Sequence, residues 1–156
     1  MQIHLIAVGQ RMPDWVTQGY QEYARRMPAQ CALHLTEVAL RKRGKGVDWK
    51  RLQAEEGEKM LAAAPAAALW VALDERGIAW DTRQLSAQLD EWRQQHSSLA
   101  LLIGGPEGLA PACLSQARHH WSLSKLTLPH PLVRILVAEQ LYRAWTLLHN
   151  HPYHRE

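Results

Sequence analysis

With 156 residues, 47% of them apolar, the chain is the length of one ordinary domain and carries enough apolar side chain for a single sizeable core. Eighteen Lys and Arg against fifteen Asp and Glu leave a formal charge of +3, too small to identify a nucleic-acid partner yet compatible with one. Two cysteines, Cys31 and Cys113, stand far apart without paired spacing, so neither a disulfide framework nor a thiolate metal site is indicated.

In chain order, Met1 to Val8 lacks the basic start of a signal peptide and reads as a first strand. Strand-like runs at 3–8, 33–38, 69–73 and 99–103 alternate with helical periodicity at 15–26, at 49–64 after a cap at Asp48, and at 83–94 after Asp81 and Thr82. This alternation predicts an α/β fold, a parallel sheet with helices on both faces, in one domain spanning 1–156. The stretch from Leu61 to Leu73 holds Pro65 and is mostly alanine, so no membrane span is expected and the protein belongs in the cytosol. Between the second strand and the second helix, Arg41 to Gly46 gathers four cations, a charge run that solvation alone explains and that also suits RNA backbone.

The fourth strand ends in Gly104-Gly105-Pro106-Glu107-Gly108, which removes side chains where open α/β sheets place ligands. No Gly-Lys-Ser/Thr follows and Glu107 repels phosphate, so the pocket favours a ligand without a polyphosphate; a tight turn with a helix-start glutamate is the plain alternative. A short helix begins at Pro111. Next comes the alternating stretch Leu123, Ser124, Lys125, Leu126, Thr127 and Leu128, running into Pro129-His130-Pro131. The two prolines predict a rigid, non-helical lip, where an adenine ring could be read by main-chain groups between walls of Leu73, Leu123, Leu126 and Leu128. An edge strand with a proline turn explains the same residues structurally. His130 and Arg134 lie at the mouth of this pocket, within reach of a substrate.

The last helix, 132–149, is apolar around most of its circumference, more than one sheet face can cover. Either it is wrapped inside a larger core or the same helix of a second subunit packs on it, and the short chain favours the homodimer. Glu139 and Arg143 stand four apart as an ordinary helical ion pair.

Taken together, Val-Gly at 8–9, Met-Pro-Asp-Trp at 12–15, Lys-Arg-Gly-Lys at 42–45, Leu-Asp at 73–74, Ile-Gly-Gly-Pro-Glu-Gly at 103–108, Leu-Pro-His-Pro-Leu-Val-Arg at 128–134, Glu-Gln-Leu-Tyr-Arg-Ala-Trp at 139–145 and Asn-His-Pro-Tyr-His-Arg-Glu at 150–156 are distinctive in order and spacing. Over essentially the whole chain they resemble the small bacterial SPOUT-class methyltransferase family that modifies N3 of a pseudouridine in 23S ribosomal RNA. The resemblance implies a trefoil-knotted α/β fold, a homodimer, S-adenosyl-L-methionine as methyl donor, no metal, and the ribosome as partner. It also implies that Leu73, Gly104, Gly105 and the stretch Leu123 to Leu128 contact the cofactor, largely through backbone. A weak imide acid is the acceptor, so the terminal Tyr153, His154 and Arg155 are candidates for stacking on the base, accepting its proton and pairing its anion. One subunit's tail is expected to complete the pocket holding the other subunit's cofactor, while Arg41 to Gly46 grips the RNA backbone. Two rival readings use the same residues. His149, His151 and His154 could hold a zinc ion, though without an HExxH helix or an obvious carboxylate ligand, and a passive ribosome-binding module needs only the basic loop.

Overall fold

The computed structural model describes residues 1–155; Glu156, the last residue of the tail motif, lies outside the described residues. Five strands and five helices alternate: β1 (Gln2–Val8), α1 (Asp14–Ala24), β2 (Leu33–Val38), α2 (Trp49–Ala62), β3 (Leu69–Ile78), α3 (Thr82–Gln95), β4 (Ser98–Ile103), α4 (Pro111–Gln116), β5 (His119–Trp121) and α5 (His130–Leu148). Every strand pairing is parallel, in the order β2-β1-β4-β3-β5. Because side chains alternate across a strand, each strand feeds two layers. Ile3, Leu5, Leu99 and Leu101 pack beneath α1, α3 and α5, while Ile6, Val8, Ala100 and Leu102 pack beneath α2 and α4.

The helix starts follow from their capping chemistry. Asp81 and Gln84 form a reciprocal capping box at α3, and the Asp48 side chain accepts from the Arg51 amide at α2. Pro111 occupies the first turn of α4.

Three elements differ from expectation. The third strand runs five residues past Leu73, to Ile78, with a half-buried to exposed end. The fifth strand is the short His119–Trp121 rather than the alternating stretch from Leu123 to Leu128, which forms an irregular arch. Helix α5 begins at His130 and takes Pro131 into its first turn, where a missing amide costs nothing, so only Pro129 of the expected lip stays outside the helix. The apolar circumference of α5 is largely covered within the chain, since α1 flanks it on one side and α3 on the other. Val137, Ala138, Leu141 and Ala144 are fully buried, and no α5 residue is among the exposed large apolar side chains. Among the residues of α5 left half-covered, Leu132, Leu136, Gln140, Arg143 and Leu147 form one stripe. Among the described residues, no helix is long and apolar enough to cross a membrane.

Candidate active site

Strands β1 and β4 are neighbours whose onward connections leave in opposite directions, one to β2 and the other past β3 to β5. Such a divergence opens a crevice outside the carboxyl ends of the strands. A cavity of about 560 Å³ lies at that end of the sheet, a volume suited to a ligand of nucleoside size. Leu73, Gly104, Gly105 and Leu123 line it, as do Ser124, Leu126, Thr127 and Leu128. Lys125 does not; its side chain is exposed outside the cavity. Sequence reasoning missed Asp74, which follows Leu73 on β3, and Trp121 and Ser122, where β5 ends. A strand of three residues, two of them histidine, gives no periodic signal.

The wall is built of main chain. A Cβ on Gly104 would lie 2.5 Å from the Gly108 carbonyl carbon and 2.7 Å from the Leu109 nitrogen, so the β4 end and the returning loop approach as closely as backbones can. Gly108 turns that loop at φ +81°, a conformation glycine adopts without penalty. Across the cavity, the Ser122 hydroxyl donates to the Ser124 carbonyl and the Leu126 amide donates to the Ser124 hydroxyl, folding 122–128 into an arch. The amides of Leu123, Thr127 and Leu128 meet no protein acceptor among the described residues. Leu126, 73% exposed, forms an apolar lip with nothing packed on it.

Behind the glycine loop, Arg43 turns inward. Its guanidinium makes two bonds to Glu56, at 2.6 and 3.0 Å, and two to Glu107, both 3.0 Å, while Gln53 on α2 donates to the carbonyls of Glu107 and Gly108. The hydrogen bonds from Arg43 hold the Glu107 carboxyl below its usual range. Thus Glu107 acts as an anchor rather than as a charge facing the ligand, and Arg43 is withdrawn from the basic loop, leaving Arg41, Lys42 and Lys45 exposed. An Arg43→Ala protein should lose about 3 kcal/mol, because it strands the buried Glu56 carboxylate. Thermal unfolding should then drop by roughly 10 °C; a drop within error would show that the clasp does not hold the loop.

Arg134 is likewise internal. Only 1% exposed, it bonds Glu37 at 2.6 Å and the Gly9 carbonyl at 2.7 Å, so it ties α5 to the ends of β1 and β2 instead of reaching for a substrate. His130, one turn earlier, does line the cavity.

As far as Arg155, the tail does not reach the cavity of its own chain. After α5, Asn150 adopts a left-handed conformation (φ 54°) and a short 3-10 helix over Pro152–Arg155 folds back along α5. The Tyr153 hydroxyl donates to Glu139 at 2.9 Å, and its ring sits 4.7 Å from the Tyr142 ring beneath the Arg143 guanidinium. Burial and the Glu139 carboxylate raise the Tyr153 phenol well above its ordinary pKa, which keeps it protonated. Glu139 lies nine residues beyond His130, about 13 Å along the helix. The Glu139–Arg143 pair, 2.6 Å apart, is therefore part of the tail's seat and more than a surface ion pair. Nδ1 of His154 is buried without a partner.

The comparisons with known proteins bear on this geometry. A family model described as predicted SPOUT methyltransferase matches residues 1–154. The chain belongs to the SPOUT methyltransferase family. Two relatives named ribosomal RNA large subunit methyltransferase H match it end to end. That of Methylococcus capsulatus is 56% identical over 155 residues, 99% of this chain and all of the relative. That of Thioalkalivibrio sulfidiphilus is 57% identical over 156 residues, the whole of both. A solved methyltransferase from Legionella pneumophila, in complex with the bound cofactor SAM, aligns with a TM-score of 0.47 at 14% identity, over 93% of this chain and 66% of that one. As a SPOUT methyltransferase the chain is an enzyme of methyl transfer, and the cavity is its candidate catalytic centre.

Proposed function

We propose that this SPOUT enzyme transfers the methyl group of S-adenosyl-L-methionine to N3 of a pseudouridine in 23S ribosomal RNA, acting in the cytosol on the assembled ribosome as a homodimer of single, trefoil-knotted domains. The observation that carries the donor is the cavity wall. It offers close-set glycine backbone, an arch of unpartnered amides and apolar faces at Leu73, Leu123, Leu126 and Leu128, with no cradle for phosphate. A nucleoside fits such a wall: the leucines can flank adenine, and the main chain from Leu123 to Leu128 and at Gly104 and Gly105 can satisfy its polar edge. The two relatives' shared name and end-to-end similarity support ribosomal RNA as acceptor.

Bound there, S-adenosyl-L-methionine supplies an electrophilic sulfonium methyl, so the protein's task is alignment and management of one proton. The imide N–H must lose that proton as nitrogen bonds carbon. His154 is the proposed acceptor, Tyr153 the group that stacks on or hydrogen-bonds the base, and Arg155 the partner of its anion. Because these residues sit at the far end of α5 from their own cavity, the reading requires that they serve the cavity of a second subunit. The half-covered stripe of α5 is available for that pairing. Lys42 and Lys45, and Arg41 by giving up an exposed 3.5 Å pairing with Glu55, can meet RNA phosphates.

Labelled methyl donor offered with naked RNA, separate subunits and whole ribosomes tests the reading. Label should enter the large-subunit RNA of the assembled ribosome. Equal labelling of naked RNA would remove the ribosome from the proposal, and no labelling of any RNA would remove the substrate.

A further inference from the structure

His130 is the first residue of α5 and presents its ring to the cavity. Neither ring nitrogen has a hydrogen-bond partner among the described residues, and of the two only Nδ1 is shut away from solvent. The proton of a neutral imidazole must choose between them. A buried N–H without an acceptor forfeits a full hydrogen bond to water, whereas a bare nitrogen lone pair is better tolerated. The surroundings also keep the ring uncharged. Arg134 stands one turn along α5, and its Nη2 and the His130 Cε1 approach the same side of Gly9, 3.5 and 3.4 Å from where a Cβ would be. A cation beside the ring and the positive end of a 19-residue helix both disfavour a second proton on the imidazole. Burial first, and then the Arg134 charge, lower the pKa of His130, so the ring is uncharged at neutral pH. Three carboxylates share the cavity wall: Asp74 is engaged with His120 and Glu107 with Arg43, Glu75 is exposed to solvent, and none of the three is bonded to His130.

We infer that His130 is a neutral hydrogen-bond donor whose Nε2–H faces the cavity and binds the acceptor's carbonyl oxygen that gains negative charge when the imide gives up its proton. The inference rests on the methyl-transfer reading of this cavity. When the imide N–H passes its proton to the base, the electron pair left on nitrogen spreads over the two flanking carbonyl oxygens. A donor already aimed at one of them stabilises that anion without itself losing a proton. Nitrogen then forms its bond to the methyl carbon as the carbon–sulfur bond breaks and sulfur keeps the pair. His130 ends as it began, which separates it from a general base.

Two measurements test this independently. Long-range proton–nitrogen correlation NMR on the free protein reports the tautomer directly, with no cofactor or RNA present. At pH 7 His130 should carry its proton on Nε2 and be neutral; a proton on Nδ1, or an imidazolium, overturns the inference. In the transfer assay, His130→Gln sets an amide N–H near the place of Nε2–H and should stay within about tenfold of the parent, while His130→Ala should fall about 100-fold. The Kd for S-adenosyl-L-methionine should be unchanged in both. Gln as inactive as Ala, with the acid limb of the pH profile abolished, would make His130 the base instead. Loss of cofactor affinity in step with activity would place the donor on the cofactor. Failure of the parent to label RNA would strike the substrate reading, and the tautomer result would stand apart from it.

Discussion

A chain ending at Pro152 is expected to bind S-adenosyl-L-methionine with nearly unchanged affinity and to transfer no methyl group. The truncation removes Tyr153, His154 and Arg155, none of which lines the cavity of its own chain. Proton transfer and anion pairing contribute factors of about 10² to 10⁴ in rate, so the loss should exceed a hundredfold. Tyr153 also packs on Tyr142, which makes His154→Ala the companion variant, because it leaves that packing in place. The decisive form of the experiment mixes defects. If the tail serves a second subunit, co-expressing the truncated chain with one whose cavity is blocked should restore activity, since one intact cavity then meets one intact tail. Activity in the truncated protein alone would remove the tail from the mechanism. No recovery in mixed dimers would remove the sharing of a tail between subunits from the mechanism.

The cavity-blocking variant is Gly104→Ala, for which the second large effect is expected. Its methyl group would stand 2.5 Å from one backbone atom and 2.7 Å from another, and backbone cannot swing aside as a side chain can. The glycine loop must open, which costs about 1–3 kcal/mol of stability by overpacking. Displacing the binding wall by even ~1 Å should reduce activity by about 100-fold. Gly108→Ala is the control. Its φ of +81° makes alanine strained, yet nothing lies within 4 Å of the added carbon, so the loss should be smaller. Calorimetric titration with the cofactor and thermal unfolding report both effects. A Gly108→Ala protein more damaged than Gly104→Ala would show that conformation, not close approach, governs the loop.

Strands β1, β4 and the first half of β3 were legible because each is a mostly apolar run buried on both faces, the edge strand β2 showed through Leu33, Leu35 and Val38, and the glycines after β4 marked the cavity. Strand β5 was not, because His119–Trp121 owes its conformation to pairing with β3 and carries no pattern of its own. The arch from Leu123 to Leu128 imitates a strand in its alternation, while its turn comes from the Ser124 hydroxyl. Two arginines misled for a common reason. Arg43 and Arg134 read as surface cations, and what buries them are carboxylates far along the chain: Glu107 lies 64 residues from Arg43, and Glu37 lies 97 from Arg134. Such partners exist only in the folded state. The apolar surplus of α5 was correctly seen, but α1 and α3 absorb most of it, which a helix-by-helix reading cannot anticipate.

The clasp of Arg43 between two carboxylates carries one more consequence, for the speed of binding. A wall fixed from behind before any guest arrives does not have to be assembled around it, so little ordering entropy opposes entry. Encounter with the donor should then proceed at a rate set by diffusion and orientation, and kindred nucleosides should differ mainly in how long they stay.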